Sequence, residues 1–228
     1  MTVGEMRRRL LGDLLAVGAP YGLALAGGDA VRAHGLVDRP GRDVDVATES
    51  PVGTEDIVAA VRAGLEERGW RVRTSGTEPL AARLVIGGPE AGAGAGEEYS
   101  VQVLKEVLWR PLEAGEFGPV LSVEDLVGTR VRALAGQGLA PDLVDVHAAA
   151  DRWSHPELEE LGRRHAGDVL DLTDLQTRLV GAEWIDDREF AACGLDDRAV
   201  AELRRWAQEW ADDIGERLAE SSAPPDDE

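Results

Sequence analysis

Leucines at 10, 11, 14 and 15 repeat with helical period, and this predicts a first helix over 5–18. The apolar run 21–26 (YGLALA) fits a short buried strand. The pair Gly27-Gly28 breaks it, and a helix is expected over 29–34. Residues 38–42 (DRPGR) have turn chemistry. Polar and apolar residues then alternate over 43–48 (DVDVAT), the period of a strand with one buried face. Thr54 opens a helix to residue 68, with Glu55 and Asp56 suitably placed in its first turn. Residues 70–74 and 80–86 read as a hairpin, 87–96 as a flexible surface loop, and 99–104 (YSVQVL) as the next strand.

The pattern changes near residue 120. Ser122 with Asp125 three positions on is a capping signature for a helix through 135. Further helices fit 141–152, a segment capped by Ser154 with Pro156 just inside it, then 168–181, 187–193 and 197–219. The organisation expected is an α/β domain over 1–120, an all-helical domain over 121–220 and a disordered tail over 221–228.

Composition narrows the function classes. The chain has 228 residues, 43% hydrophobic and 30% charged, enough apolar sequence for a core. It has no run of 18 or more uncharged apolar residues, so no transmembrane helix is expected. Arg7 to Arg9 before an apolar stretch ending Ala24-Leu25-Ala26 mimics a signal peptide, but Asp13 and Pro20 interrupt it; the expected compartment is cytoplasmic. The single Cys193 reads as a small buried hydrophobe, and four scattered histidines make no zinc cluster. The net charge is −20: residues 1–150 carry 15 basic and 22 acidic side chains, and the rest 9 and 22. Such a surface repels phosphate backbones, so general nucleic-acid coating is not expected.

Candidate chemistry concentrates between Gly27 and Asp45. On a strand, Asp43 and Asp45 share one face, about 6–7 Å apart along it. Paired carboxylates suit a hard cation, and Mg²⁺ typically takes one or two of them with waters and substrate phosphates. The glycine pair at a strand-to-helix turn offers backbone N–H groups to a phosphate, with no Cβ in the way. Each feature alone is common on protein surfaces. In this order they make a phosphate cradle beside a metal clamp, the minimum apparatus for nucleotidyl transfer.

The stretch from Ala26 to Asp45 resembles the signature of the nucleotidyltransferases related to the AbiEii/AbiGii abortive-infection toxins, within the DNA polymerase β-like superfamily. Gly27, Gly28, Ala30, Arg39, Asp43 and Asp45 match in order. A second motif stands as Arg130-Val131-Arg132-Ala133-Leu134 followed by Asp142 and Asp145. The resemblance, over about residues 20–150, implies a small mixed sheet of the polymerase β-like type followed by helices, with the nucleotide between them. It implies Mg²⁺ on Asp43 and Asp45, the triphosphate of an NTP on Gly27 and Gly28, Arg39 and Asp142 as further binding residues, and Arg130 and Asp145 in catalysis. It implies an RNA acceptor such as tRNA, or a protein, a toxin-like role and an antitoxin partner.

The sequence departs from that pattern. Gly41 replaces a Ser/Thr, Arg130 a lysine, and Gln137 and Pro141 stand where arginines are expected. The superfamily's third carboxylate belongs on a later strand, where the positional candidate is Gln102; Glu98 is the nearest acid there. Two other readings therefore stand beside the first: a domain that binds nucleotide or a partner without catalysis, and a nucleotidyltransferase acting on a small cationic antibiotic. Among other residues, Arg39 and Arg42 suit phosphate or an ion pair with Asp38 or Glu49. His147 reads as a helix-surface histidine, and Trp206 and Trp210, spaced i, i+4, as packing residues.

Overall fold

The computed structural model describes residues 3–39, 43–88, 98–166 and 170–222. They form a mixed α/β fold in two compact units, Met1–Leu126 and Val127–Glu228. In chain order the first unit holds α1 (Val3–Gly18), β1 (Ala24–Ala26), α2 (Gly27–Ala33), β2 (Val44–Thr48), α3 (Thr54–Glu67), β3 (Arg71–Thr77), β4 (Ala81–Gly87), β5 (Glu98–Lys105), β6 (Glu113–Ala114) and β7 (Pro119–Val120). The unit boundary falls inside α4 (Val123–Gln137). After it come α5 (Ala140–His147), α6 (His155–Ala166), α7 (Leu172–Val180), α8 (Asp187–Ala192) and α9 (Asp197–Ser222). No described helix is long and apolar enough to cross a membrane.

Seven strands make one sheet in the order β3-β4-β5-β2-β1-β7-β6. β5 runs parallel to β2 and β7 parallel to β1; the other neighbours are antiparallel. The expected hairpin is β3–β4, with a register shift between Thr74 and Gly76. One face of the sheet carries Val44, Val46, Leu84, Ile86, Val101 and Val103, all fully buried in one core with the leucine stripe of α1 and with Ile57, Val61 and Leu65 of α3. Leu10, Leu11, Leu14 and Leu15 are the residues whose spacing predicted that stripe.

Caps set several boundaries as the sequence indicates. Ser122 Oγ accepts the Asp125 N–H at 3.1 Å, and the Asp125 carboxylate accepts the N–H groups of Trp109 and Arg110. Asp171 and Asp186 cap α7 and α8 through the N–H groups of Thr173 and Arg188. Several bounds differ from expectation, and α7 starts at Leu172 rather than 168. α5 stops at His147 rather than continuing to 152, because 148–152 form turns that end in the Ser154–Glu157 capping pair of α6. β6 and β7 carry only two residues each, too short for any periodic signal. α9 reaches Ser222, and 223–228, which hold most of the expected tail, lie outside the described residues, as do most of the 87–96 loop and 167–169.

The second unit is a helical bundle around Leu143, Leu158, Leu175, Phe190, Leu203, Trp210 and Ile214, all fully buried. Trp210 donates its indole N–H to buried Glu159 at 2.9 Å, and Arg217 grips both oxygens of the same carboxylate. That carboxylate, above all by its hydrogen bonds, holds the Arg217 guanidinium well above its ordinary pKa. Cys193 is buried, as expected.

Candidate functional site

Asp45 stands in β2 between two fully buried valines, so strand alternation turns it to the face away from α1 and α3. Its neighbours in register are Gln102 of β5 and Ala26 of β1, and Gln102 is opposite Arg83 of β4. Strands in a sheet lie about 4.8 Å apart. Arg83, Gln102 and Asp45 therefore form a row across three strands, with Arg83 exposed and the other two half-buried. Asp43 sits two residues earlier, at the bend leading into β2, also half-buried. The candidate position for a third carboxylate is thus beside Asp45, and a glutamine fills it.

Gly27 is the first residue past β1, and the chain turns there through φ +60° to start α2. A side chain at this position is strained for any L residue. It also has nowhere to go: a Cβ would lie 1.9 Å from Asp45 Oδ2 and 2.7 Å from its Cβ and Cγ. The bare α-carbon of Gly27 is the surface against which the Asp45 carboxylate rests. Gly28 follows, half-buried, in the first turn of the seven-residue α2. The four residues that the GG and D-x-D patterns singled out are therefore gathered at one end of the β1–β2 pair.

A side chain from α1 fixes this arrangement. Arg7 lies three and four residues before Leu10 and Leu11, on the helix face that meets the core. Its guanidinium Nη2 donates to Asp29 Oδ2 at 2.7 Å and to the Asp43 carbonyl at 3.0 Å. The two side chains are 14% and 6% exposed, so this is a mostly desolvated, charge-assisted link between the first turn of α2 and the residue leading into β2. Sequence reasoning gave Arg7 and Asp29 no such linking role and did not single out Arg83. Arg7 is 36 residues from Asp43, and Arg83 joins the row only through strand register. The one available signal was the helical spacing that puts Arg7 on the leucine face.

Arg39 is half-buried, four residues before Asp43. Asp38, weighed as its surface partner, pairs with Arg32 at 3.5 Å, and Glu49 accepts the Leu108 N–H at 2.8 Å. Gly41 and Arg42 lie outside the described residues.

In the helical unit, Asp142 and Asp145 share one face of α5, as their spacing requires, and both meet Arg130 of α4. The distances are 3.3 Å and 3.4 Å, with side-chain exposures of 16% for Arg130, 8% for Asp142 and 2% for Asp145. Arg132, on another face of α4, donates to the His165 carbonyl at 2.9 Å. Arg130 is thus the counter-charge of two buried carboxylates.

The sheet residues fit a hard divalent cation. Two carboxylates two positions apart, with the side-chain amide oxygen of Gln102 in register with one of them, are an all-oxygen donor set. Among the described residues no three His, Cys, Asp or Glu side chains gather at one point. Most of the ion's shell is then left to water and phosphate oxygens, the usual circumstance of Mg²⁺.

No protein-family model matches the sequence, and no curated protein sequence does. Solved structures do. MenT4, a nucleotidyltransferase toxin from Mycobacterium tuberculosis, superposes with a TM-score of 0.60 at 17% identity, covering 90% of this chain and 82% of its own. The chain shares the fold of nucleotidyltransferases. Two Helicobacter pylori structures agree. One, assigned to the nucleotidyltransferases, has a TM-score of 0.56 at 13% identity over 98% of this chain and 100% of its own; the other, JHP933, has 0.55 at 15% over 97% and 96%. Each likeness covers most of the sequence.

Proposed function

We propose that the chain is a metal-dependent nucleotidyltransferase: it moves a nucleoside monophosphate from an NTP to an acceptor and releases pyrophosphate. The observation that carries this reading is the Asp45 carboxylate seated on the bare α-carbon of Gly27, with Asp43 beside it, on a nucleotidyltransferase fold. Asp43 and Asp45 would hold Mg²⁺, which supplies charge neutralisation on the phosphates and orients the attacked phosphorus. The backbone N–H groups of Gly27 and Gly28 would seat the triphosphate, whose approach no side chain blocks. Arg7 acts as a positioning residue, holding the Asp43 backbone and the start of α2. Among the described residues, Arg39, four positions before Asp43, and exposed Arg83, opposite Gln102 in register, would answer phosphate charge. Arg130, with Asp142 and Asp145, would take its part in catalysis only as a neutralised cluster.

In the transfer the acceptor hydroxyl oxygen bonds to the α-phosphorus as the α–β phosphoanhydride bond breaks. The electron pair leaves on pyrophosphate and the hydroxyl proton passes to water, since Gln102 has no ionisable group to take it. The acceptor we favour is RNA such as tRNA, or a protein, in a toxin-like role opposed by an antitoxin. A non-catalytic binding role is favoured by one feature, Gln102 in place of a carboxylate.

The test is incubation with each of four α-labelled NTPs and Mg²⁺, with total tRNA, a protein lysate or an aminoglycoside panel as acceptor. Label on tRNA or protein, lost in Asp45→Asn, is the expected result. Label on an aminoglycoside alone moves the acceptor to small molecules. NTP binding that Mg²⁺ strengthens, with no label on any acceptor, establishes the binding role instead.

A further inference from the structure

The helical unit holds a cavity of about 550 Å³ whose lining includes none of the residues assigned above to nucleotidyl transfer. It lies where α5 ends, along the 148–154 turn and the start of α6, and is closed on one side by α9. Its walls include His147, Asp151, Trp153, His155 and Trp206. That volume is in the usual range for small-molecule sites.

The aromatic wall is built rather than incidental. Trp206 meets His147 edge-on at 5.0 Å and Trp210 at 5.3 Å, and His155 stacks on Trp210 at 5.3 Å with 11° between the planes. Trp210 is fully buried and anchored by its bond to Glu159, so the array is pinned to the bundle core at one end. Trp206 and Trp153 remain only half-buried, and both border the cavity.

Charge decides what the space suits. Asp151 stands exposed on the cavity wall, with no cationic partner among the described residues. Glu202 and Asp151 act on His147, and Asp213, Glu159 and Glu209 act on His155. Arg217 is bonded to Glu159 and Asp213, Arg198 pairs with Glu202 and Arg205 with Glu209, which leaves Asp151 as the carboxylate of this set with no such pair among the described residues. Burial lowers the pKa of both imidazoles, so at neutral pH they present uncharged rings. A phosphate or other anion meets net negative surroundings; a cation meets π faces and a carboxylate.

We propose that this pocket binds a small organic cation of the alkylammonium class, its charge over the faces of Trp206 and Trp153 and against the Asp151 carboxylate. Attraction of ammonium groups to indole faces operates at exposed sites and grows as water is excluded.

The test is calorimetric titration of the full chain with choline, with its uncharged isostere 3,3-dimethylbutan-1-ol, and with adenosine. Choline should bind saturably, and the isostere about tenfold or more weaker, since only the charge differs. Trp206→Leu should weaken choline by about tenfold, and Trp206→Phe, which keeps a ring and guards against a folding artefact, by less. Asp151→Asn, at an exposed position, should weaken choline without changing the thermal midpoint. The proposal is overturned if choline shows no saturation at millimolar concentration, or if the isostere binds equally well. It is also overturned if adenosine binds tighter than choline and loses that binding in Trp206→Leu, which would assign the walls to a nucleobase.

Discussion

The two units treat the same residue types in opposite ways. On the sheet, Asp43 and Asp45 are held by backbone: one follows a bend, the other rests on a glycine, and the cation nearby, Arg7, spends its charge on Asp29 and on a carbonyl. In the helical unit, Asp142 and Asp145 face a guanidinium directly, and Glu159 is gripped by another. Asp142 and Asp145 each stand within 3.4 Å of a cation, whereas the Asp45 carboxylate is placed against a bare α-carbon. The motif order in the sequence treats both pairs as candidate chemistry, and only the environment tells them apart.

Breaking the helical cluster should have the largest effect on stability. Arg130→Met leaves two buried carboxylates uncompensated, and losing one partner of a buried pair typically costs about 3–5 kcal/mol. Urea unfolding should show a loss of that order. A loss below about 1 kcal/mol, the worth of an exposed pair, would make the cluster a surface feature and restore Arg130 to the phosphate.

Gly27→Ala tests the sheet side. The forced Cβ and the left-handed backbone together should cost about 1–3 kcal/mol. The sharper readout is NTP affinity across a Mg²⁺ titration, where the displaced Asp45 carboxylate should abolish the gain that Mg²⁺ gives the wild type, as Asp45→Asn should without the strain. Equal Mg²⁺ gains in wild type, Gly27→Ala and Asp45→Asn would remove the metal from this face.

Gln102→Glu should then sharpen the comparison. A carboxylate in register with Asp45 adds an anionic donor on the open face, so transfer or Mg²⁺ affinity should rise by several-fold rather than fall. A fall in both would mean that the amide itself is needed.

The smallest effect expected is a pH dependence confined to the helical unit. His147 and His155 have folded pKa values below the ordinary 6.5, chiefly from burial. Below pH 6.5 the unfolded chain binds more protons, so stability present above that pH declines as the pH falls. His147→Gln should flatten the decline seen by thermal melting between pH 7 and 5.

Much of this was legible in the sequence because it is locally encoded. The 43–48 alternation, the α1 leucine stripe and the Ser122 cap each lie within a few residues and are where the chain put them. Gln102 opposite Asp45 was legible as a position, since strand parity limits which residue of β5 faces the same way. Register itself was not, and Arg83 came with it. The fate of Arg130 was hidden for another reason: a guanidinium beside two aspartates reads the same in sequence whether the cluster is buried or faces a ligand.

Arg7 adds a consequence for synthesis. The ribosome releases α1 before β2, and the guanidinium that secures the Asp43 carbonyl waits for a partner made 36 residues later. Until the strand holding Gln102 has also emerged, β2 has no parallel neighbour on that side. The nascent chain therefore has its glycine turn and both aspartates well before the row that Asp45 shares with Gln102 and Arg83 can form, so the order of translation makes that row a late feature of the sheet.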